Sequence, residues 1–344
     1  MSTVEVAEVW GEDPRTRTDP WTRTEPETWN GTDCYYVVAG RYRILRELRK
    51  TLYGSVLLGV DLRSPTDTLV AIKCSSRRQA DTFMSSRNVY SMALPVFDDV
   101  QSEVRILSSL GTECGHLLEL VDTFADEENY FMVCEYIPGR ELIDFVLDSG
   151  PGPGPVPGES VVRDIFRQVA TGVQHLHGKG IAHMDLSCEN VMVRADAGTL
   201  TAKVIDFGCA RQFPSPARYI PSGMVPPGRD HYVSPELYIE NNADPFANDV
   251  YSLGILLYAC LTRTFPYERI SLREGLFPGF LSGEWMEWEV VEGLSHEVRD
   301  LIRGMTVPEP ERLTIAEVLG HRWLVPAGSG RESAPKVLSE EYTM

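Results

Sequence analysis

Hydrophobic and polar residues change rhythm about a third of the way along this chain. Near the start the apolar positions come in short, strand-like runs. Tyr42-Arg43-Ile44-Leu45 and Gly54-Ser55-Val56-Leu57-Leu58-Gly59-Val60 flank a turn, and Leu69-Val70-Ala71-Ile72-Lys73 reads as a third strand, β-branched and apolar. Over residues 98–110 the spacing switches to steps of three, at Val104, Leu107 and Leu110, which predicts a helix. Two further strands are expected over Leu117–Phe124 and Tyr130–Tyr136, joined by the acidic turn Asp126-Glu127-Glu128-Asn129. A glycine–proline stretch from Gly150 to Gly158 reads as a loop. Beyond it Val162, Ile165, Phe166, Val169, Val173 and Leu176 share one helical face, and helical patterns return at 247–262, 296–305 and 314–320. Strands first and helices later predict an α+β protein in two lobes: a small antiparallel sheet with one main helix over 34–137, and a larger, mostly helical lobe over 138–325.

The two ends read as disordered tails, 1–33 and 326–344. The first carries a repeat of period six, Asp13-Pro14-Arg15-Thr16-Arg17-Thr18, then Asp19-Pro20-Trp21-Thr22-Arg23-Thr24, then Glu25-Pro26-Glu27-Thr28. Prolines at that density break helices and remove strand donors, and few apolar residues are there to offset the ordering entropy.

Charge narrows the function classes. Of the 344 residues, 50 are acidic and 32 basic, a formal net charge of −18, which argues against a general nucleic-acid or anionic-membrane binder. The most hydrophobic stretch, Tyr251 to Thr262, is too short to span a bilayer. Glu5 and Glu8 stand where a secretory signal would be basic, so a cytoplasmic or nuclear protein is expected. The seven cysteines form no CxxC pair and read as free thiols in a reducing compartment. Lysine occurs only at 50, 73, 179, 203 and 336, so the other 27 of the 32 basic residues are arginine. Where a lysine is kept in such a chain, its chemistry can be the reason.

Four clusters stand in a fixed order: Val70-Ala71-Ile72-Lys73 at a strand; Glu103 on the helix that follows; His183-Met184-Asp185-Leu186-Ser187-Cys188-Glu189-Asn190; and Asp206-Phe207-Gly208 after the expected strand Ala202–Ile205. These are the residue types that phosphoryl transfer needs. A lysine neutralises phosphate oxygens and a carboxylate orients it. A second carboxylate accepts the proton of the attacking hydroxyl, and an asparagine and an aspartate hold Mg²⁺ against the phosphates. In this order and spacing, from Tyr42 to Trp323, the sequence resembles the eukaryotic protein kinase family.

The resemblance implies a bilobal protein-kinase-like fold, ATP and Mg²⁺ as cofactors, and protein substrates with Ser/Thr acceptors. It implies that Lys73 contacts the α/β-phosphates and pairs with Glu103, that Asp185 is the catalytic base, and that Asn190 and Asp206 are the metal ligands. By the same resemblance Glu135-Tyr136-Ile137 is the hinge that holds adenine, with Cys134 as gatekeeper. Glu141 contacts the ribose, Gly54 belongs to the phosphate-covering loop, and Val56, Ala71 and Met192 sandwich the adenine ring. Leu107, Leu120, His183 and Phe207 are expected to stack as the spine of an active state. Val233-Ser234-Pro235-Glu236 matches the motif that closes the activation segment; Asp249 matches the anchor of the catalytic loop, and Arg312 the partner of Glu236. A monomer is the default expectation.

Several positions depart from the family pattern. Arg49 and Thr51 replace the first two glycines of the loop G-x-G-x-x-G, leaving Gly54, and a raised Michaelis constant for ATP is expected. Met184 replaces the arginine before the catalytic aspartate, which predicts activity independent of phosphate at Ser215 or Ser222. Ser187 stands where many Ser/Thr kinases have a lysine, and Arg229 where they usually have a threonine. The residues before Pro235-Glu236 lack the tyrosine kinases' proline and tryptophan pattern, which favours Ser/Thr. The 30-residue gap from Lys73 to Glu103 is long and holds Arg77, Arg78 and Arg87, expected as a solvated loop. Cys188 and Cys209 flank the site and are expected to be inert thiols; His175 and His177 read as ordinary surface histidines. The eroded loop supports an alternative, a nucleotide-binding pseudokinase acting as scaffold or allosteric partner. A small-molecule kinase is a third reading, opposed by the Ser-Pro-Glu segment, Asp249 and Arg312.

Overall fold

The computed structural model describes residues 36–51, 54–78, 100–147, 158–196, 198–213, 220–221, 228–239, 242–268 and 275–325. The two expected tails, with the six-residue repeat, lie outside the described residues. So do Ser215, Ser222, Arg87 and most of the glycine–proline loop.

The small lobe is one antiparallel sheet of six strands. In chain order it contains β1 (Val37–Val38), β2 (Tyr42–Thr51), β3 (Gly54–Asp61), β4 (Leu69–Ser76), then helix α1 (Val100–Leu110), β5 (Leu120–Ala125) and β6 (Asn129–Glu135). The strands lie side by side in the order β1-β2-β3-β4-β6-β5. Successive side chains of a strand face opposite ways, and this sheet uses both faces. Val70 and Ile72 of β4 and Phe131 and Val133 of β6 join Tyr42, Ile44 and Phe124 in one buried cluster, where Tyr42 stacks on Phe124 with centroids 5.9 Å apart. The residues between them, Ala71 and Lys73 on β4 and Met132 and Cys134 on β6, therefore share the other face.

The sequence pattern placed two boundaries differently. The strand expected to end at Leu45 runs on to Thr51: residues 46–50 are charged and exposed apart from the half-buried Leu48, and two bulges keep them paired to β3. That extension is held by backbone hydrogen bonds, which leave no hydrophobic signature. The strand expected from Leu117 begins only at Leu120, because the three residues before Glu119 pair elsewhere. The Leu118 N–H donates to the Val204 carbonyl at 3.0 Å, and the Val204 N–H donates to that of His116 at 2.9 Å.

The large lobe begins with β7 (Arg140–Glu141), α2 (Leu142–Leu147) and α3 (Glu159–Gly178), followed by β8 (Ile181–Ala182), β9 (Val191–Asp196), β10 (Thr199–Val204) and β11 (Arg211–Gln212). Then come α4 (Glu236–Ile239), α5 (Pro245–Thr262), α6 (Phe277–Ser282), α7 (His296–Thr306) and α8 (Ile315–Gly320). The six α3 residues that share a helical face are all buried. Helix α5 is buried on every side except near its ends, and a β-carbon at Gly254 would lie 2.6 Å from Thr306 Cγ2, so glycine lets α5 and α7 touch. Asp244 caps α5 by accepting the Phe246 N–H at 2.8 Å, with Pro245 in the first turn, where its missing N–H costs nothing. Among the described residues no helix is long and apolar enough to cross a membrane.

Candidate active site

Strand β8 delivers the chain to the loop 183–190. The turn puts Met184 at φ +67°, in the left-handed region, which costs a residue with a β-carbon about 1–2 kcal/mol. The fully buried Asp249 carboxylate on α5 offsets that strain by accepting the backbone N–H groups of His183 and Met184, each at 2.8 Å. His177 Nε2 lies 2.9 Å from the same carboxylate. The reading of His177 as a surface residue is therefore corrected: its side chain is only 10% exposed and sits edge-on to Phe246. Position 177 lies off the apolar face of α3, so periodicity carried no sign of this partnership.

Asp185 follows directly. The Asn190 Nδ2 donates to both the carbonyl and Oδ2 of Asp185 at 2.8 Å, and Arg229 Nη1 stands 3.3 Å from each carboxylate oxygen. Burial pushes the Asp185 carboxyl above the usual carboxylate value, against the pull of Arg229, His183 and Asn190. Asn190 Oδ1 is buried and has no hydrogen-bond partner, an unusual state for an amide oxygen. Asp206 sits at φ +63° just past β10. Burial works to raise its pKa, but Lys73, Arg49, His183 and the Gly208 N–H outweigh it and hold the carboxyl below its ordinary value. A free amide oxygen and an ionised carboxylate are hard donors of the kind Mg²⁺ takes, its other positions going to water and phosphate. Asn190 and Asp206 thus fit that ion. No group of three or more His, Cys, Asp or Glu side chains suited to a metal occurs among the described residues.

In the small lobe Lys73 Nζ donates to Glu103 Oε2 at 2.8 Å, with the two side chains 9% and 1% exposed. Glu103 Oε1 accepts the Phe207 N–H at 3.2 Å. One carboxylate on α1 therefore ties the strand lysine to the residue after Asp206. Phe207 packs on His183 with ring centroids 5.1 Å apart; Leu107 is buried and Leu120 half-buried.

Between the lobes lies a cavity of about 460 Å³. Val56, Ala71, Lys73, Glu103, Cys134, Glu135, Ile137, Glu141, Met192 and Asp206 all line it, so residues spread over more than 150 positions of sequence meet at one place. Gly54 does not line it. It pairs with Ser75 and Thr51 in the sheet, and a β-carbon there would lie 1.9 Å from the Cys74 carbonyl oxygen, so the glycine serves strand packing. Asp185 and Asn190 also stand outside the lining, on the loop beside Asp206. Arg49 lies across the cavity, with Nη2 3.4 Å from Asp206 Oδ2 and Nη1 3.5 Å from Glu141 Oε1. Burial raises the Glu141 carboxyl, with Arg49 opposing the shift. At the gatekeeper position burial pushes the Cys134 thiol far up, and Cys188 is buried 3.8 Å from Cys260 Sγ, consistent with inert thiols.

Sequence reasoning missed Met132, Leu118 and Ile205 in this lining. Met132 was legible, two residues before Cys134 on one strand face. Leu118 was not, because it reaches the cavity from the segment that leaves the small sheet to pair with β10. Further from the cavity, Arg312 Nη2 donates to Glu236 Oε1 at 2.7 Å in full burial.

The family model "Protein kinase domain" matches residues 42–324. The serine/threonine-protein kinase RAD53 of Saccharomyces cerevisiae is 30% identical over 247 residues, covering 69% of this chain and 29% of that one. The probable serine/threonine-protein kinase MARK-A of Dictyostelium discoideum is 28% identical over 286 residues, 83% of this chain and 24% of its own length. The serine/threonine-protein kinase ksp1 of Schizosaccharomyces pombe is 29% identical over 289 residues, 80% and 55% respectively. The chain spans between about a quarter and about half of these relatives. With the match running through both lobes and across every residue named above from Lys73 to Arg312, this chain belongs to the eukaryotic protein kinase family.

Proposed function

We propose that this protein transfers the γ-phosphoryl group of Mg·ATP to serine or threonine hydroxyls of protein substrates. The observation that carries this reading is the closed Lys73–Glu103 ion pair on the wall of a cavity that also holds Asp206. A lysine fixed in this way offers its charge to phosphate without first having to be ordered. Val56, Ala71 and Met192 provide the apolar walls for the adenine ring, and the backbone of Glu135–Ile137 its hydrogen bonds. Asp185, held by Asn190, accepts the proton of the attacking hydroxyl. Asn190 and Asp206 would hold the Mg²⁺, which would supply positive charge to offset that of the phosphates. The similarity to serine/threonine-protein kinases and the segment before Pro235-Glu236 favour Ser/Thr as acceptors.

A second reading is supported by Arg49. Its guanidinium lies within 3.5 Å of both Asp206 and Glu141, so a cation of the chain's own competes for the metal-holding carboxylate. In that reading the protein is a nucleotide-binding scaffold with little or no turnover. Incubation with radiolabelled Mg·ATP and a basic protein substrate, beside Asp185→Asn, separates the two. Label on serine and threonine that the variant loses is the expected result. No label from either protein, with nucleotide still raising the melting temperature, assigns the scaffold role.

A further inference from the structure

The segment that closes over the catalytic loop brings to Asp185 a charge that the loop itself lacks. Arg229 Nη1 stands 3.3 Å from both carboxylate oxygens of Asp185 and donates to Ser187 Oγ at 2.7 Å; its Nε lies 3.8 Å from Glu189. No other lysine or arginine among the described residues forms an ion pair with Asp185. Asn190 holds only Oδ2 of that carboxylate, so by itself it leaves the group free to swing about that contact. A guanidinium that touches both oxygens removes that freedom.

The backbone on either side fixes where Arg229 stands. Gly228, at φ +97°, runs so close to the catalytic loop that a β-carbon would lie 2.8 Å from the Met184 carbonyl oxygen and 3.4 Å from Asp185 Oδ1. Both the dihedral and the clearance require glycine. On the other side the Tyr232 N–H donates to the Arg229 carbonyl at 2.8 Å. The Tyr232 hydroxyl accepts the Cys188 N–H at 3.3 Å, and Ser252 Oγ donates to the Tyr232 carbonyl at 2.7 Å. The turn that carries Arg229 is thus docked on the loop it serves. Ser187 is fully buried, short and neutral, and its hydroxyl marks the place where the guanidinium rests.

We propose that Arg229 is the positioning residue of the phosphoryl-transfer site, orienting the Asp185 carboxylate toward the acceptor hydroxyl from the activation segment, in the role that a cation at position 187 would otherwise fill. The role rests on the phosphoryl-transfer reading given above. Because it depends on where the charge is and not on which loop supplies it, a lysine grown from position 187 restores it.

The test is steady-state kinetics on the full chain, wild type beside Arg229→Thr, Arg229→Lys and the double variant Ser187→Lys/Arg229→Thr, with a melting curve for each. Arg229→Thr is expected to lower kcat about 30-fold, the scale of a misplaced catalytic group, with KM for ATP within about threefold of wild type, since Arg229 does not line the nucleotide cavity. The double variant is expected to recover most of the lost kcat, and Arg229→Lys to fall between, keeping the charge but not the planar head that reaches Asp185 and Ser187 through Nη1 and Glu189 through Nε. A kcat for Arg229→Thr within twofold of wild type overturns the role. So does a loss that the relocated lysine fails to recover in a variant that melts like wild type. A purely structural arginine would lower the melting temperature and leave the double variant as slow as the single. An inactive wild type would instead overturn the phosphoryl-transfer reading itself, which keeps the two failures apart.

Discussion

Removing Arg312 tests how far a single buried ion pair holds the large lobe together. Its side chain is 1% exposed and that of Glu236 5% exposed, and the guanidinium is fully used: Nη2 donates to Glu236 at 2.7 Å, Nε to the Val307 carbonyl at 3.0 Å and Nη1 to that of Ala247 at 3.2 Å. It also lies 5.0 Å above the Tyr251 ring. Arg312→Met keeps most of the volume and removes the charge. Stranding one partner of a buried pair costs about 3–5 kcal/mol, and each carbonyl left without its donor adds roughly 1 kcal/mol. The total of about 5–7 kcal/mol is a large part of the 5–15 kcal/mol that typically separates folded from unfolded protein. Urea unfolding followed by tryptophan fluorescence reads it as a lower midpoint at unchanged slope. The double variant Glu236→Leu/Arg312→Met distinguishes the cause, because it leaves no buried charge at position 236, only the more exposed Glu309 losing its cation, and should regain at least about 2 kcal/mol over the single variant. A single-variant loss under about 1.5 kcal/mol, or a double variant whose loss is the sum of the two singles, would refute the reasoning.

Two further outcomes concern a carboxyl beside Arg312 and the cation across the cavity. Burial, only partly opposed by Arg312 and reinforced by Glu236 and Asp244, pushes the Glu309 carboxyl from 4.5 up to about 7. A carboxyl whose folded pKa is raised favours the fold while protonated, so that stability is lost as pH climbs from about 4.5 to 7. Glu309→Gln should escape this loss: its melting temperature gains on wild type across that window and keeps a constant lead above it, worth about 1–2 kcal/mol after solvent screening. A lead that shrinks with rising pH would contradict the sign. Arg49→Gly frees Asp206 and Glu141 from a competing cation and should lower KM for ATP about three- to tenfold, or raise nucleotide-induced thermal stabilisation correspondingly. A weaker nucleotide affinity would show instead that Arg49 binds phosphate.

What could be read from the sequence depended on whether a residue's partner lies within its own element. The core strands and helices were legible because period-two and period-three patterns are local: Val70 and Ile72 face the core, so Ala71 and Lys73 face the cavity. Glu103 was legible 30 positions beyond Lys73 because it sits on the buried stripe of α1 beside Val104 and Leu107. The mostly charged half of β2 was not, since its backbone pairing and the contacts of Arg49 with Glu141 and Asp206 leave no periodic hydrophobic signature. His177 was misread because its partner is a carboxylate on α5, and no pattern within α3 points there. Arg49 and Arg229 were visible as departures from the family's residue types, but where their guanidinium groups rest is a property of how distant loops fold together. Gly54 was legible as a required glycine, but the strand contact that also requires it was not: the neighbouring strand fills the space where its side chain would be.

The segment 116–118 has a mechanical consequence. It follows α1 in the chain, yet it hangs from β10 of the large lobe by the Leu118–Val204 and Val204–His116 hydrogen bonds. Glu135, at the end of β6, is tied to the same strand by its ion pair with Lys203, and it exchanges hydrogen bonds with Glu119. Both ties end on neighbouring residues of one strand, Lys203 and Val204, so the inner end of the cavity is built on a single rail of the large lobe. That rail runs straight on to Ile205 and Asp206, both of which line the cavity. The residues beside Cys134 and the carboxylate at Asp206 therefore take their positions from the same strand, and a substitution that shifts β10 would displace both ends of the cavity together.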